Sequence, residues 1–243
     1  MNIFNVLLYQ PLLNALILIY SYIPGHDFGL AVIALTILIR LLLYPLTAES
    51  IRVQKITADL QPKMKEIQIK HKNDKEKQAL LTMQLWKEHK INPFSGFLLI
   101  LIQLPILIAL YQVFYKGITN DSLNMLYGFV PNPGLIKLNF LGLINLESAN
   151  LFIAILAGVT QFFQTKTTTF NANIKKIEGK SSIDQMEQFS RTMNSYMLYV
   201  LPLITVFILW KLPAALGLYW VASSSFSIIQ QYFILKRLGD VTA

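Results

Sequence analysis

The chain has 243 residues, of which 54% are hydrophobic and only 14% are charged, and its 21 Lys and Arg residues outnumber its 13 Asp and Glu residues. Because soluble domains carry about 25% charged residues, this composition predicts a protein embedded in lipid and argues against a water-soluble globular domain. The absence of cysteine excludes a disulfide framework, a thiolate metal site and a cysteine nucleophile.

The N-terminal segment, residues 1–26, is apolar and contains no Lys or Arg. A signal peptide begins with a positively charged region, so we expect this segment to be retained. Its tyrosines favour the headgroup level of a membrane, and residues 11–22 are therefore predicted to form an amphipathic helix on the outer membrane surface. A further membrane span over the same residues is the alternative.

Five long apolar stretches follow the N-terminal segment. They are residues 28–47, 94–115, 149–165, 195–210 and 212–235. A helix of about 20 residues crosses the hydrocarbon core, so the first, second and fifth stretches fit directly and the other two are short. We therefore predict an all-α polytopic membrane protein, with five transmembrane helices in a core of residues 27–237 and a short tail at residues 238–243.

The number of basic residues alternates between successive connections. Residues 1–39 contain none, residues 49–92 contain ten, residues 116–148 contain two and residues 166–194 contain five. Because Lys and Arg accumulate in cytoplasmic loops, this alternation predicts an N-terminus outside and a C-terminus in the cytoplasm. It also accounts for the net charge of +8 without a specific nucleic acid partner.

The segment at residues 48–92 is predicted to form a cytoplasmic hairpin of two amphipathic helices, because apolar residues recur at steps of three and four in each arm. They are Val53, Ile56, Leu60, Met64 and Ile67 in the first arm, and Ala79, Leu80, Met83 and Trp86 in the second. A polar break at residues 71–74 separates the arms, and Asn92-Pro93 ends the hairpin. A solvated charged arm without a specific role is the alternative.

Arg40 is the most informative residue, because it lies inside the first predicted span among aliphatic side chains. A buried cation in a membrane costs at least about 2.5–3.5 kcal/mol and needs a partner or water. All 13 acidic residues lie outside the predicted spans, so no intramembrane carboxylate can neutralise it. We therefore expect water, a lipid phosphate or a polar ligand to reach Arg40.

Polar residues on the neighbouring spans are spaced to face the same place as Arg40. The candidate site consists of Thr36, Arg40 and Tyr44 on the first span, Gln103 on the second, Gln161 and Gln164 on the third, and Trp220, Ser224, Ser227 and Gln231 on the fifth. Ordinary hydrogen bonding between packed helices is the alternative reading of each polar stripe. Since such bonding does not solvate a guanidinium, we predict a hydrated groove in the membrane that opens to the cytoplasm.

Five stretches of this sequence resemble the YidC family of membrane protein insertases, which includes the mitochondrial Oxa and chloroplast Albino proteins. They are FGLAVIALTILIRLLLYPLT at 28–47, LQPK at 60–63, NPFSGFLLILIQLPILIALY at 92–111, GVTQFFQTK at 158–166 and LPLITVFILWKLPAALGLYWVASSSFSIIQQ at 201–231. The resemblance implies a protein that is not an enzyme and has no cofactor. It implies instead an insertase and chaperone for membrane proteins in the bacterial cytoplasmic (inner) membrane.

The resemblance also implies residue roles and partners. The family's groove arginine corresponds to Arg40, its substrate-contacting threonine to Thr36, and an aromatic contact on its last span to Trp220. Its groove glutamine corresponds to Gln161 or Gln164. The implied partners are nascent membrane proteins and the lipid bilayer, with the Sec translocon, the signal recognition machinery and the ribosome as further candidates.

Three other functions fit parts of the sequence. A small-anion transporter would use Arg40 as its anion site, but an odd number of spans without internal repeats is untypical of carriers. An intramembrane hydrolase would need a base near Ser223–Ser225, whereas all 3 histidines lie outside the predicted spans. A passive membrane-protein assembly factor would use the same features as an insertase, and the sequence does not separate the two.

Overall fold

A computed structural model of the protein describes residues 3–92, 95–115, 120–169, 192–193 and 195–241. Most of the described residues are helical, which confirms the prediction of an all-α fold. Residues 170–191, which hold most basic residues of the second predicted cytoplasmic connection, lie outside the described part of the chain.

The N-terminal helix is part of the core of the protein. After one π-helical turn at Asn5–Tyr9, helix α1 spans Gln10–Tyr22 and packs against α2, which spans Phe28–Leu42. Leu13 and Ile17 of α1 are fully buried in this contact region. The placement of α1 on the outer membrane surface stays a prediction.

A sharp bend divides the first predicted span. Helix α2 ends before Leu43, and α3 spans Tyr44–Lys70 at an angle of 64° to α2. Pro45 has no N–H to donate to the carbonyl of Leu41, and the N–H of Leu43 is shared between the carbonyls of Ile39 and Leu41. The predicted stretch 28–47 therefore does not form one straight helix, and its end belongs to the first arm of the hairpin.

The remaining helices complete the bundle. They are α4 at Lys75–Glu88, α5 at Ser95–Tyr115, α6 at Asn120–Leu123, α7 at Leu151–Thr169, α8 at Leu201–Leu209 after a π-helical turn at Tyr196–Val200, and α9 at Ala214–Val241. Helix α9 packs against α2, α3, α5 and α7, and α8 packs against α7. Among the described residues, no helix taken alone combines the length and the apolar composition needed to cross a bilayer; α2 and α3 do so only when counted together across their bend.

Helices α3 and α4 form a hairpin with an apolar cluster of its own. Val53 and Leu60 of α3 are buried together with Leu85 of α4. Leu80 and Met83, which the spacing placed on the packing face of α4, are 65% and 53% exposed. Because apolar residues occur on several sides of α4, spacing alone does not select a face. Packing against α3 selects the side that carries Leu85.

A small antiparallel hairpin holds the beginning of α2. Strand β1 (Asn139–Phe140) pairs with strand β2 (Ile144–Asn145), with Phe140 opposite Ile144. In the turn between them, the N–H of Leu141 donates to the carboxylate of Asp27, the N-cap residue of α2, at 2.5 Å. The ring of Phe140 lies directly against Gly29, where no larger residue would fit. The β-hairpin thus positions one end of the helix whose other end carries Arg40.

Candidate functional site

A cavity of about 340 Å³ lies between α2, α5, α7, α8 and α9. Six of the candidate residues line it: Arg40, Gln103, Gln161, Gln164, Trp220 and Ser224. The other polar residues of its lining are Thr165, Thr168, Tyr219 and Ser223. Side chains that are distant in sequence therefore meet around one chamber, called the polar cavity below.

Arg40 lies in the last turn of α2, just before the bend, and is partly buried. Its Nε and Nη2 atoms both donate to the hydroxyl oxygen of Ser223 on α9, the Nε at 3.0 Å. In the described parts of the chain, no carboxylate oxygen lies within 4.0 Å of the guanidinium. The partner of the cation is thus a neutral hydroxyl, which leaves its positive charge uncompensated at the cavity wall.

A second polar contact joins α5 to α9 across the same cavity. Gln103 of α5 donates from its side-chain nitrogen to the hydroxyl of Tyr219, which is 2% exposed. Tyr219 and Ser223 are four residues apart on α9, so they lie on the same helical face. Helix α9 therefore presents two oxygen atoms, one bound to the guanidinium of α2 and one bound to the amide of α5.

The third contact joins α9 to α7. The indole nitrogen of Trp220 donates to the side-chain oxygen of Gln161 at 3.0 Å. Gln161 is 6% exposed, whereas Gln164 on the next turn is only half-buried. Both glutamines line the polar cavity, and Gln161 is the one that contacts the predicted aromatic residue.

The hydroxyl groups of two candidate residues form hydrogen bonds within their own helices, and neither residue lines the cavity. Thr36 is 1% exposed, and its hydroxyl donates to the carbonyl of Val32 at 2.6 Å. Ser227 donates to the carbonyl of Ser223 at 3.0 Å. Back-bonding of this kind to the preceding turn is a common solution for hydroxyl groups in helices.

Tyr44 and Gln231 also lie outside the cavity lining. Tyr44 follows the bend, so the polar stripe predicted for the first span ends with α2. Its carbonyl and the hydroxyl of Thr47 both accept hydrogen bonds from Gln230. Gln231 accepts a hydrogen bond from Thr167 of α7 at 2.9 Å. These residues join α3, α7 and α9 beside the cavity rather than within it.

Tyr219 and Ser223 make the central contacts of the site, and both lie beside the polar stripe that spacing predicts for the last span rather than on it. A signal was available, because the pair repeats the four-residue step of Trp220 and Ser224 one position earlier on the helix. The sequence pattern does not mark Tyr219 as a polar contact, because a tyrosine within an apolar stretch is usually a packing residue.

An apolar cavity of about 220 Å³ adjoins the polar one. Leu107 of α5 and Trp220 of α9 line both cavities, and Ile208 of α8 and Tyr111 of α5 line only the apolar one. Trp220 therefore stands at the boundary, with its polar N–H bound to Gln161 and its ring against the apolar chamber.

The described lining of the polar cavity offers charge and hydrogen bonding. It consists of a guanidinium, amides, hydroxyl groups, an indole and apolar side chains, and none of these described residues is a histidine or a carboxylate. In the described residues, no group of three or more His, Cys, Asp or Glu side chains could hold a metal ion. Such a chamber can bind polar or anionic groups through its guanidinium, amides and hydroxyl groups.

Comparison with known proteins identifies relatives over almost the whole chain. A family model described as "60Kd inner membrane protein" matches residues 18–240. The "Membrane protein insertase YidC" of Fusobacterium nucleatum subsp. nucleatum is 34% identical over 211 residues, which are 87% of this chain and 87% of that protein. Proteins of the same name from Geobacter metallireducens and Geotalea daltonii are 30% and 32% identical over 98% and 94% of this chain. The chain spans only 38% and 37% of the length of these two relatives.

Proposed function

The chain belongs to the 60Kd inner membrane protein family, that of the YidC insertases, and we infer from this that it is a membrane protein insertase acting on nascent membrane proteins. Insertion forms and breaks no covalent bond, so the protein is not an enzyme. Within the molecule, one observation supports this function above the others: the guanidinium of Arg40, held by neutral Ser223, lies at the wall of a polar cavity.

We propose that five helical segments cross the membrane: α2, α5, α7, α8 with its preceding π-helical turn, and α9. The apolar stretches of the sequence support this arrangement. The surface of α8 supports it too, because Leu203 and Phe207 are 68% and 64% exposed. Large apolar side chains exposed together are favourable against lipid and unfavourable against water.

In this arrangement the polar cavity is a hydrated groove within the membrane. A polar group that enters hydrocarbon without a hydrogen-bonding partner costs several kcal/mol, roughly 2–7 depending on the reference state. Amides and hydroxyl groups of the groove, together with its water, replace the lost partners of a client's polar segment. Arg40 adds an attraction for the carboxylates of a client. The groove therefore lowers the barrier to moving polar segments part of the way across the bilayer.

The neighbouring apolar cavity suits the apolar transmembrane segment of a client. A transmembrane segment is mainly apolar, and it gains no stability from a hydrated chamber. Leu107, Ile208 and the ring of Trp220 would contact the apolar part while the polar tail lies beside Arg40. From there the apolar segment would pass into lipid between α5 and α8.

We propose an orientation with the N-terminus outside and the C-terminus in the cytoplasm, since the ten basic residues at 49–92 then lie on the cytoplasmic side. The hairpin of α3 and α4 would project from the cytoplasmic mouth of the groove. This position would make it the first part of the protein to meet a nascent chain. The Sec translocon, the signal recognition machinery and the ribosome are the partners proposed for this surface.

Reconstitution tests the proposed function directly. The purified full chain is placed in liposomes, and a short client with a single transmembrane segment is synthesised beside them. We expect the client's outer tail to become protected from added protease several times more often than with empty liposomes. Equal protection with and without the protein would contradict insertion. Release of a trapped labelled small anion, without any protection of clients, would instead favour the transporter.

A further inference from the structure

The hydrogen bonds of Arg40 leave part of its guanidinium open. A guanidinium has five N–H donors. Ser223 accepts one from Nε and one from Nη2, and within the described residues no other hydrogen-bond acceptor is recorded for this side chain. The two N–H groups of Nη1 and one of Nη2 therefore remain for a ligand. Adjacent donors at this end of the group match the two oxygens of a carboxylate.

Ser223 is placed so that it orients Arg40 firmly. It is 5% exposed, and it receives both bonds from Arg40 on one oxygen atom. Tyr219, one turn earlier on α9, lies beside both Arg40 and Ser223 and is tied to Gln103 on the opposite wall. The oxygen that holds the guanidinium is therefore itself part of a packed helix face.

The chemical type of the group that binds Arg40 decides which charged groups the cavity attracts. A carboxylate in the place of Ser223 would orient Arg40 equally well, but the pair would carry no net charge. The hydroxyl orients the guanidinium and leaves the unit charge in place. Salt and bulk water screen a partly buried charge less than a charge on the open surface, so a single uncompensated charge in the groove still acts on an ion nearby.

We propose that Ser223 is the residue that sets the charge preference of the groove. Through its neutral hydroxyl, it holds Arg40 at the wall as an uncompensated cation, and the groove consequently favours client tails that carry carboxylates over tails that carry lysines. Ser223 acts through Arg40 and is a positioning residue. This inference rests on the proposed insertase function and adds a determinant of client specificity to it.

The test compares Ser223→Asp with Ser223→Asn in the full chain. The two side chains have nearly the same shape, and both can accept a hydrogen bond from Arg40, but only aspartate neutralises it. Both variants have room for the larger side chain, because Ser223 lines the cavity. Three versions of one client, with an acidic, a neutral or a basic outer tail, are inserted into liposomes that contain each variant.

The measured quantity is the ratio of acidic-tail to basic-tail insertion at equal amounts of reconstituted protein. We expect this ratio to exceed one in the unchanged chain and to remain above one in Ser223→Asn. In Ser223→Asp we expect it to fall about tenfold, the change that follows from losing one hydrogen bond between charged groups. An equal fall in the asparagine and aspartate variants, or an unchanged ratio in both, would overturn the proposal.

A second pair of variants covers the case in which Ser223→Asp does not accumulate. Gln103→Glu places a carboxylate on the opposite wall of the same cavity, and Gln103→Met is its uncharged counterpart. The ratio should fall in the glutamate variant and not in the methionine variant, and the reverse result would refute the inference. If the unchanged chain inserts no client at all, the proposed function is wrong. If it inserts clients with acidic and basic tails equally well, only the proposed role of Ser223 is wrong.

Discussion

Trp220 and Gln161 are joined by a hydrogen bond of 3.0 Å between the indole nitrogen and the amide oxygen, which links α9 to α7 at the wall of the polar cavity. The contact leaves the indole ring against the adjoining apolar cavity. A client that occupies both chambers would have to pass this side chain. Trp220 is therefore the residue from which contact with a client is most readily detected.

A photoreactive amino acid at position 220 should crosslink to a nascent transmembrane segment. The same group at position 36 should react mainly within the protein, because Thr36 is 1% exposed and lies outside the cavity lining. Stalled client chains, irradiated in membranes and separated by size, provide the measurement. Strong client adducts from position 36, with none from position 220, would show that the client follows a different path.

Arg40→Ala should reduce insertion of clients with acidic outer tails by about tenfold, because it removes the cation that those tails would contact. Clients with neutral tails should be affected less. Arg40→Lys keeps the positive charge but loses the pair of planar N–H donors that binds Ser223. It should therefore retain part of the preference for clients with acidic tails. Protease protection of the three clients measures the effect.

Folding must be separated from function in this experiment. The elution volume and the thermal unfolding curve of Arg40→Ala in detergent should match those of the unchanged chain. Loss of a partly buried cation without a carboxylate partner removes a desolvation cost as well as a contact, so no large destabilisation is expected. Normal insertion of every client by a well-folded Arg40→Ala protein would contradict the role of the guanidinium.

Asn14→Leu should lower the free energy of unfolding by about 1–3 kcal/mol. Asn14 is 3% exposed, and it connects α1 to the segment after α6: its amide nitrogen donates to the carbonyl of Met125 at 3.1 Å, and its oxygen accepts from the N–H of Tyr127 at 2.6 Å. Leucine would leave the N–H of Tyr127 without this acceptor, while the carbonyl of Met125 would keep only its bond from the side chain of Gln10 at 2.9 Å. Thermal unfolding in detergent measures the loss.

The matched control for this variant is Asn132→Ala. Asn132 is exposed and accepts a hydrogen bond from the N–H of Gly134 within its own turn. Its replacement should change the unfolding temperature only slightly, since an exposed backbone group can bond to water. Equal effects of the two variants would mean that Asn14 does not connect the two segments in the folded protein.

Gly217→Ala should destabilise the contact between α7 and α9. A Cβ atom at position 217 would lie 2.6 Å from Cγ2 of Ile153, which is much closer than van der Waals contact. We expect a loss of about 1–3 kcal/mol, because extra volume in a close-packed contact forces side chains and backbone apart. Ile153→Ala in the same chain should restore part of the loss by providing space.

Gly128→Ala is the control for this pair, since a Cβ atom at position 128 would meet no other atom within 4 Å. It should leave the unfolding curve nearly unchanged. If Gly217→Ala and Gly128→Ala behave alike, or if Ile153→Ala fails to compensate, close approach of α7 and α9 is not what requires glycine at position 217.

Several features were predictable from the sequence because they depend on residues close together in the chain. The apolar stretches and the absence of acidic residues within them identify a helical membrane protein and make Arg40 conspicuous. The order of the matching stretches along the chain predicts the YidC family, and the similarity to known proteins confirms it. Steps of three and four residues place Trp220 and Ser224 on one face of their span, and in the structure both line the cavity that Arg40 lines.

Other features could not be read from spacing. The spacing of Thr36, Arg40 and Tyr44 predicts one continuous stripe, but the effect of Pro45 on the preceding hydrogen bonds ends the helix between the last two. The face of α4 that packs was also ambiguous, because only contact with α3 distinguishes Leu85 from Leu80.

By itself, the sequence determined that this protein is helical, apolar and equipped with a cation that has no acidic partner nearby in the chain, because composition and periodicity are local properties. Only the tertiary structure decided that Ser223 holds Arg40, since these residues are 183 positions apart and meet through the packing of α9 against α2. Helix packing also places Gln161 in contact with Trp220 and buries Thr36 outside the cavity lining. Contacts of this kind depend on how helices rotate and tilt against each other, which no spacing along a single helix specifies.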